Sequence, residues 1–214
     1  MILADITQDL YLNFIKEDRY LWLLDGLKTT LLITFFAAIL GIILGFIVAI
    51  IRSTHDKSGH FKILNAVCRV YLTVIRGTPT MIQLLIMNFV IFGSVSLDKV
   101  IVGSLAFGIN SGAYVAEIVR SGIMSIDPGQ TEAGRSLGLN FTQTMKLIIM
   151  PQAFKNVLPA LVNEFIVLLK ETSIIGYIGM MDLTKGAMLI QSRTYNAFLP
   201  LIAAALIYLA LVMF

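Results

Sequence analysis

Charge, cysteine and histidine are all scarce in this chain of 214 residues. Lys and Arg number 16 and Asp and Glu 13, so 14% of the chain is charged, where a soluble domain runs nearer to about 25%. That deficit excludes an ordinary cytosolic enzyme and a disordered tail. The basic residues are spread along the chain rather than gathered in a patch, which excludes a nucleic-acid-binding domain. One cysteine, Cys68, permits no intrachain disulfide; lying in an apolar stretch, it reads as a small packed residue. Two histidines beside it offer no metal-ligand spacing. No Gly-x4-Gly-Lys-Ser/Thr run is present, so the chain holds no P-loop. Gly-x-Ser-x-Gly and His-Glu-x-x-His are also missing, which argues against an intramembrane hydrolase. No signal peptide is evident, because eight charged residues crowd the first 28 positions, ahead of any long apolar run.

What is abundant is apolar surface: 57% of residues, with a mean hydropathy of +0.86. At about 20 residues per span, the chain reads as an all-α, polytopic membrane protein with about five transmembrane helices in one domain, residues 1–214. Residues 29–51 lack a single charge and are bracketed by Lys28 and Arg52. Further spans are expected at 80–95, 100–124, 147–169 (interrupted by Pro151 and Pro159) and from 197 onward. Residues 1–28 read as an extracytoplasmic, interfacial segment with Trp22 at headgroup level. Residues 52–62 read as a polar loop and 63–75 as a surface or lead-in segment. Residues 170–193 read as a mixed loop. The last apolar run has no polar cap, so either a tail is missing or the C-terminus is short. Nine Lys and Arg in 52–78 and 120–155, against seven elsewhere, place those loops inside, with the N-terminus outside and the C-terminus cytoplasmic.

The polar segment 125–146 contains Glu132-Ala133-Gly134-Arg135-Ser136-Leu137-Gly138-Leu139, with Ile148 and Pro151 following. This Glu-Ala-x4-Gly-x9-Ile-x-x-Pro run resembles the EAA loop of bacterial ABC import permeases. It departs from the family pattern at Gly134, which replaces a second Ala, and at Met150, which replaces Leu. Arg76-Gly77-Thr78-Pro79, Gln83-Leu84, Asn110-Ser111-Gly112-Ala113-Tyr114, Pro151-Gln152-Ala153, Asn163-Glu164-Phe165 and Lys170-Glu171-Thr172-Ser173 are similar to permeases of the polar amino acid uptake family, a type I ABC importer fold. The resemblance covers roughly residues 20–214.

The resemblance implies a bacterial inner (cytoplasmic) membrane protein. It implies two separate ATPase subunits that bind ATP and Mg, an extracytoplasmic solute-binding protein, a second permease chain (homodimer or heterodimer) and a polar amino acid as substrate. This chain carries no cofactor and no catalysis. Residues 125–146 then form a cytoplasmic coupling segment. A short amphipathic helix there can lie in a groove of a soluble partner. Leu137 and Leu139 supply the apolar anchor, and Glu132 and Arg135 the charged contacts. Ala133 and Gly134 complete the docking run, and Gly138 allows a sharp turn where a side chain would clash.

Ionisable residues inside spans usually face a bundle interior. Asn110, Ser111, Tyr114 and Glu117 share one helical face by their spacing. They could line a pathway or supply hydrogen bonds between helices. Glu117 could instead pair with Arg120 one turn away. Glu164, about 20 Å from the inner boundary at 1.5 Å per residue, is the better ligand for an ammonium or guanidinium group. Asn163, Gln83 and Asn88 are weaker candidates. Two carboxylates without an unpaired mid-span cation point first to arginine, lysine or histidine, then to glutamine; glutamate and cystine stay open. Gly41-x3-Gly45 and Gly108-x3-Gly112 are read as packing within the chain. A secondary transporter driven by an ion gradient would need an internal repeat and midplane ion ligands, and no convincing repeat is visible. A subunit that senses amino acids without moving them is the remaining rival.

Overall fold

The computed structural model describes residues 7–213, without the side chains of Lys57 and Ser58. The first six residues of the expected N-terminal segment and the last residue of the final span lie outside it. All the regular structure among the described residues is helical. A wide π turn (Tyr11–Ile15) and a tight turn (Lys16–Asp18) lead into α1 (Tyr20–Ser58), followed by α2 (Lys62–Gly77) and α3 (Thr80–Ile86), which ends in a second π turn, Met87–Ile91. Then come α4 (Lys99–Met124), α5 (Pro128–Ser136), α6 (Phe141–Thr144), a π turn at Met145–Ile149, α7 (Met150–Glu171), a 3-10 turn at Thr172–Ile178, α8 (Leu183–Thr194) and α9 (Phe198–Met213).

Each expected span falls on a helix. Among the described residues, two helices are long and apolar enough to cross a bilayer alone, Tyr20–Asp56 and Lys99–Met124. Lys62–Gly77 and Thr80–Ile91 qualify as a pair bent by 110°, and Phe198–Met213 is a shorter apolar helix. α7 is more polar, because Lys155, Glu164, Lys170 and Glu171 interrupt its apolar residues.

Three expectations need correction. Tyr20–Leu24 is no separate interfacial segment: it is the first turn and more of α1, set off by Glu17 and Asp18 at positive φ, and Trp22 packs on a buried cluster. The expected loop after Arg52 is helical to Ser58, because nothing breaks the helix before Gly59, which takes a φ of +69°. Residues 63–75, by contrast, do lead into the next helix as expected: they form α2, which bends at Thr78-Pro79 into α3. The mixed loop 170–193 contains α8, capped by Asp182 accepting from the Thr184 and Lys185 amides. Its buried Leu183, Gly186, Ala187 and Ile190 follow the i, i+3, i+4, i+7 pattern of a helical face.

α7 is not broken by its prolines. The Met150 amide donates five residues back to Met145, so the chain has already left the i→i−4 ladder where Pro151 would lack a donor. Pro159 sits inside an otherwise continuous helix, losing one backbone bond.

The described chain packs as two compact units. In the first, residues up to 36, 81–107 and 168 onward, the core gathers Leu23, Leu183, Ala187, Ile190 and Ala204. Helix backbones approach closely there: a Cβ on Gly26 would lie 2.7 Å from the Leu183 nitrogen, and one on Gly186 2.5 Å from the Trp22 carbonyl oxygen. In the second, residues 37–80 and 108–167, Val48, Cys68, Leu72, Ala113 and Ala116 form one buried cluster. Ala49, Val115 and Val119 form another. Cys68 is thus a packed core residue, as read from the sequence.

The two Gly-x3-Gly runs interlock within that second unit. A Cβ on Gly45 would lie 2.5 Å from Val115 Cβ and 3.0 Å from the Ala116 nitrogen; one on Gly112 would lie 3.0 Å from Leu44 Cβ. Packing inside the chain is therefore their use here, allowing α1 and α4 to touch along their backbones.

Candidate functional site

The sequence places its strongest polar residues on α4 and α7, and the second unit brings several of them together. Asn110 and Ser111 are buried on α4. Ser111 Oγ donates to Glu164 Oε1 of α7 at 2.8 Å. This bond joins the two residues singled out for the substrate path. It gives the half-buried Glu164 carboxylate a hydroxyl donor. Asn163 beside it is exposed. Gln83 and Asn88, half-buried on α3 and its π turn, belong to the first unit.

One and two turns further along α4 from Ser111, Tyr114 and Glu117 face arginines. Arg52 Nη1 of α1 donates to Glu117 Oε1 at 2.9 Å, and Arg76 Nη1 of α2 lies 4.0 Å from the same oxygen. The Arg76 guanidinium stands 5.7 Å from the centre of the Tyr114 ring, a cation–π distance. The expected Glu117–Arg120 pair within α4 is not what forms. Arg120 Nη2 instead donates to Asp56 Oδ2 of α1 at 3.1 Å. The cause is the length of α1. Its extra turns carry Arg52 and Asp56 four residues apart on one face, opposite Glu117 and Arg120, so each charge finds its partner across the helix pair.

These residues border an open cavity of about 570 Å³, lined by Arg52, Arg69, Thr73, Arg76, Tyr114 and Glu117 among others. On α2, Arg69, Thr73 and Arg76 are spaced i, i+4, i+7 and so share a face. Sequence reasoning left Arg52, Arg69 and Arg76 out of the site. Arg76 had a signal, since it opens the Arg-Gly-Thr-Pro run; Arg52 looked like an ordinary end-of-span cation.

The coupling segment is built as two short helices. Asp127 caps α5, accepting from the Gly129 amide at 2.7 Å, with Pro128 at the first position. Asn140 and Gln143 form a reciprocal capping box on α6. Glu132, Ala133 and Arg135 are exposed and Leu139 is half-buried. Leu137 is 79% exposed. Gly134 is buried: a Cβ there would lie 2.7 Å from Thr144 Cγ2 and 3.1 Å from Ile148 Cδ1. Its replacement of the expected Ala thus has a steric reason. Gly138 corrects the expected clash. A Cβ there would meet nothing within 4 Å, but φ is +83°, so the requirement is the left-handed turn alone.

Comparison with known proteins agrees with this architecture. Residues 41–214 match the family described as binding-protein-dependent transport system inner membrane component. The putative glutamine transport system permease protein GlnP of Rickettsia typhi is 39% identical over 91% of this chain and 88% of its own length. The arginine transport system permease protein ArtQ of Bacillus subtilis is 40% identical over 90% of this chain and 86% of its own. A crystal structure of an amino acid ABC transporter with histidines superposes with a TM-score of 0.84, 42% identity, and coverage of 94% of this chain and 92% of that one. The methionine transporter MetNI, in an inward-facing crystal form, shares the fold at a TM-score of 0.74 and 20% identity, over 91% of each chain.

The chain therefore belongs to the family of inner-membrane components of binding-protein-dependent transport systems, with the fold of a type I ABC importer permease. Within that family it is a membrane-embedded permease subunit of an ABC amino acid importer. It is a transport subunit rather than an enzyme, and it works with an ATPase and a binding protein.

Proposed function

We propose that this permease moves a cationic or zwitterionic polar amino acid by alternating access, with Glu164 and Ser111 at the centre of its substrate path. The observation that carries this reading is the Ser111–Glu164 hydrogen bond of 2.8 Å. It turns two separately suspected residues into one polar cluster on facing helices. Asn110, Tyr114 and Glu117 extend the same face, and Asn163, Gln83 and Asn88 are secondary candidates. Arginine, lysine or histidine fit first, and glutamine next. The arginine and glutamine permeases named above are about equally similar to this chain, so similarity alone does not rank the substrates; the cationic preference rests on Glu164, since Glu117 is paired with Arg52.

In this reading two ATPase subunits bind ATP and Mg and dock on α5. Leu137 and Leu139 anchor in their grooves, with Glu132, Ala133, Gly134, Arg135 and Gly138 shaping the contact. ATP binding draws two coupling segments together and opens the path outward to the solute-binding protein; hydrolysis resets it inward. A second permease chain, identical or related, completes the path. The N-terminus lies outside and the C-terminus in the cytoplasm. The chain itself needs no cofactor, and residues 1–214 act as one transmembrane domain.

The test is Glu164→Gln in proteoliposomes with the ATPase subunits. Substrate-stimulated ATP hydrolysis should fall at least tenfold in apparent affinity, about 1.4 kcal/mol, while the complex still assembles. Unchanged half-saturation across arginine, lysine, histidine and glutamine would remove Glu164 from the site. Stimulation by glutamate or cystine alone would retain a permease but discard the cationic preference.

A further inference from the structure

We infer that a cavity near the ends of α1 and α4 binds a small neutral aromatic ligand bearing one hydroxyl or N–H, and that its occupancy restrains the coupling segment. The restraint rests on the proposed docking of α5 on the ATPase; the binding does not.

The cavity lies within the second unit. One wall is Ile50, Ser53 and Thr54 of α1 with Ile123 of α4. The other is Phe141 of α6, Met145 of the π turn and Met150 at the start of α7. The first wall is braced by ion pairs on either side of Ser53 and Thr54 in the chain. Arg52 meets Glu117 at 2.9 Å, and Asp56 meets Arg120 at 3.1 Å. The second wall belongs to the stretch that seats α5. A Cβ on Gly134 would lie 2.7 Å from Thr144 Cγ2 and 3.1 Å from Ile148 Cδ1. A ligand in the cavity thus touches a braced helix pair on one side and the seat of the coupling helix on the other.

The lining selects the ligand. Among the described residues no charged side chain lines the cavity, although Arg52 and Asp56 stand next to Ser53 and Thr54 in sequence. An ion buried there would go unanswered. This excludes the transported amino acid, which brings at least two charges, and separates the cavity from the path around Ser111 and Glu164. The two methionines adapt their shape and make favourable sulfur contacts with an aromatic edge. Phe141 offers a ring to pack against. Hydroxyls, which both donate and accept, stand only on the α1 side, so a ring with one polar atom fits better than a pure hydrocarbon. Size agrees: the volume is about 170 Å³, and an apolar cavity of about 150 Å³ takes up benzene.

Occupancy has a mechanical meaning. Where α5 passes ATPase closure to α7, residues 141–149 shift against the ends of α1 and α4. A ligand that fits the gap between them favours the arrangement it fits. It therefore opposes the shift and slows substrate-stimulated ATP hydrolysis without entering the substrate path.

The experiment titrates phenol, toluene and benzoate into the permease–ATPase complex, with two readouts. These are the unfolding temperature of the purified complex and amino-acid-stimulated ATP hydrolysis in proteoliposomes. Phenol should raise the unfolding temperature of the parent by about 2 °C at saturation and lower stimulated hydrolysis at least threefold. The two half-effective concentrations should agree within about twofold. Ile50→Phe and, independently, Ser53→Leu fill the cavity from α1. Each should raise the half-inhibiting phenol concentration at least tenfold. Toluene should act no more strongly than phenol, and benzoate at least tenfold more weakly. Inhibition that does not saturate, that is stronger for toluene and that is equal in parent and both variants marks a disturbed bilayer or a lipid tail, and overturns the site. An unfolding temperature that phenol leaves unchanged overturns it too, as does a raised one with hydrolysis unaffected. Uptake by variants of α5 tests the docking reading separately, because the unfolding temperature registers phenol whether or not α5 is the ATPase contact.

Discussion

At the single-residue level, ion pairs hold the last turns of α1 against α4. Arg52 and Asp56 each meet an opposite charge on α4, at 2.9 Å and 3.1 Å. Their side chains are partly exposed, so each pair contributes modestly. A double-mutant cycle of Arg52→Gln with Glu117→Gln should give a coupling of about 0.5–1 kcal/mol in detergent unfolding. A coupling near zero would mean that the contact only accompanies the helix extension. The cycle also separates stability from transport, since Glu117 stands beside the cavity. Glu17 shows a related effect outside the spans. The Arg19 guanidinium donates to it at 3.0 Å and pulls its carboxyl below the ordinary range. A depressed carboxylate keeps its pairing at neutral pH and loses it only as pH falls through the acidic range.

Among the elements, α1 and α4 depend on having no side chain at their crossing. Gly45→Leu would drive a bulky group into Val115 and the Ala116 backbone. It should destabilise the second unit by at least about 1–3 kcal/mol, read as a lower unfolding temperature of the purified permease. Gly77→Ala, where a Cβ would meet nothing within 4 Å, is the control and should change little. The elements also show what sequence can disclose. α4 and the apolar part of α1 were legible, because long uncharged runs leave only a spanning helix. α8 was missed, although its buried residues keep helical spacing, because Lys185 and Arg193 dilute its apolar signal. α2 was legible only as a lead-in segment too interrupted to span, which its bend into α3 fits; that Arg69 and Arg76 share one helical face was not noticed. In the candidate site, Ser111 and Glu164 could be singled out because polar groups in apolar runs stand out. The arginines beside Glu117 and Tyr114 could not, because end-of-span cations are common and only the cross-helix geometry distinguishes these.

On the scale of the whole molecule, a permease must receive a mechanical signal from a soluble partner. The exposed Leu137 is where the chain offers apolar surface beside the charged Glu132 and Arg135. Leu137→Asp and Glu132→Lys should each reduce amino acid uptake at least tenfold in the reconstituted complex while membrane insertion and folding stay unchanged. Uptake at the parental rate by both variants would remove α5 from the ATPase interface.

The close seat of Gly134 on Thr144 and Ile148 has a consequence for efficiency. A cavity between α5 and the start of α7 would act as play in a joint: the ATPases could close while the span stayed still, and nucleotide would be spent without cargo. A Cβ on Gly134 would lie 2.7 Å from Thr144 Cγ2, so on the proposed docking of α5 there is little slack between the short helix and the span. A larger side chain there, as in Gly134→Val, should then raise the ATP consumed per solute delivered in the reconstituted complex.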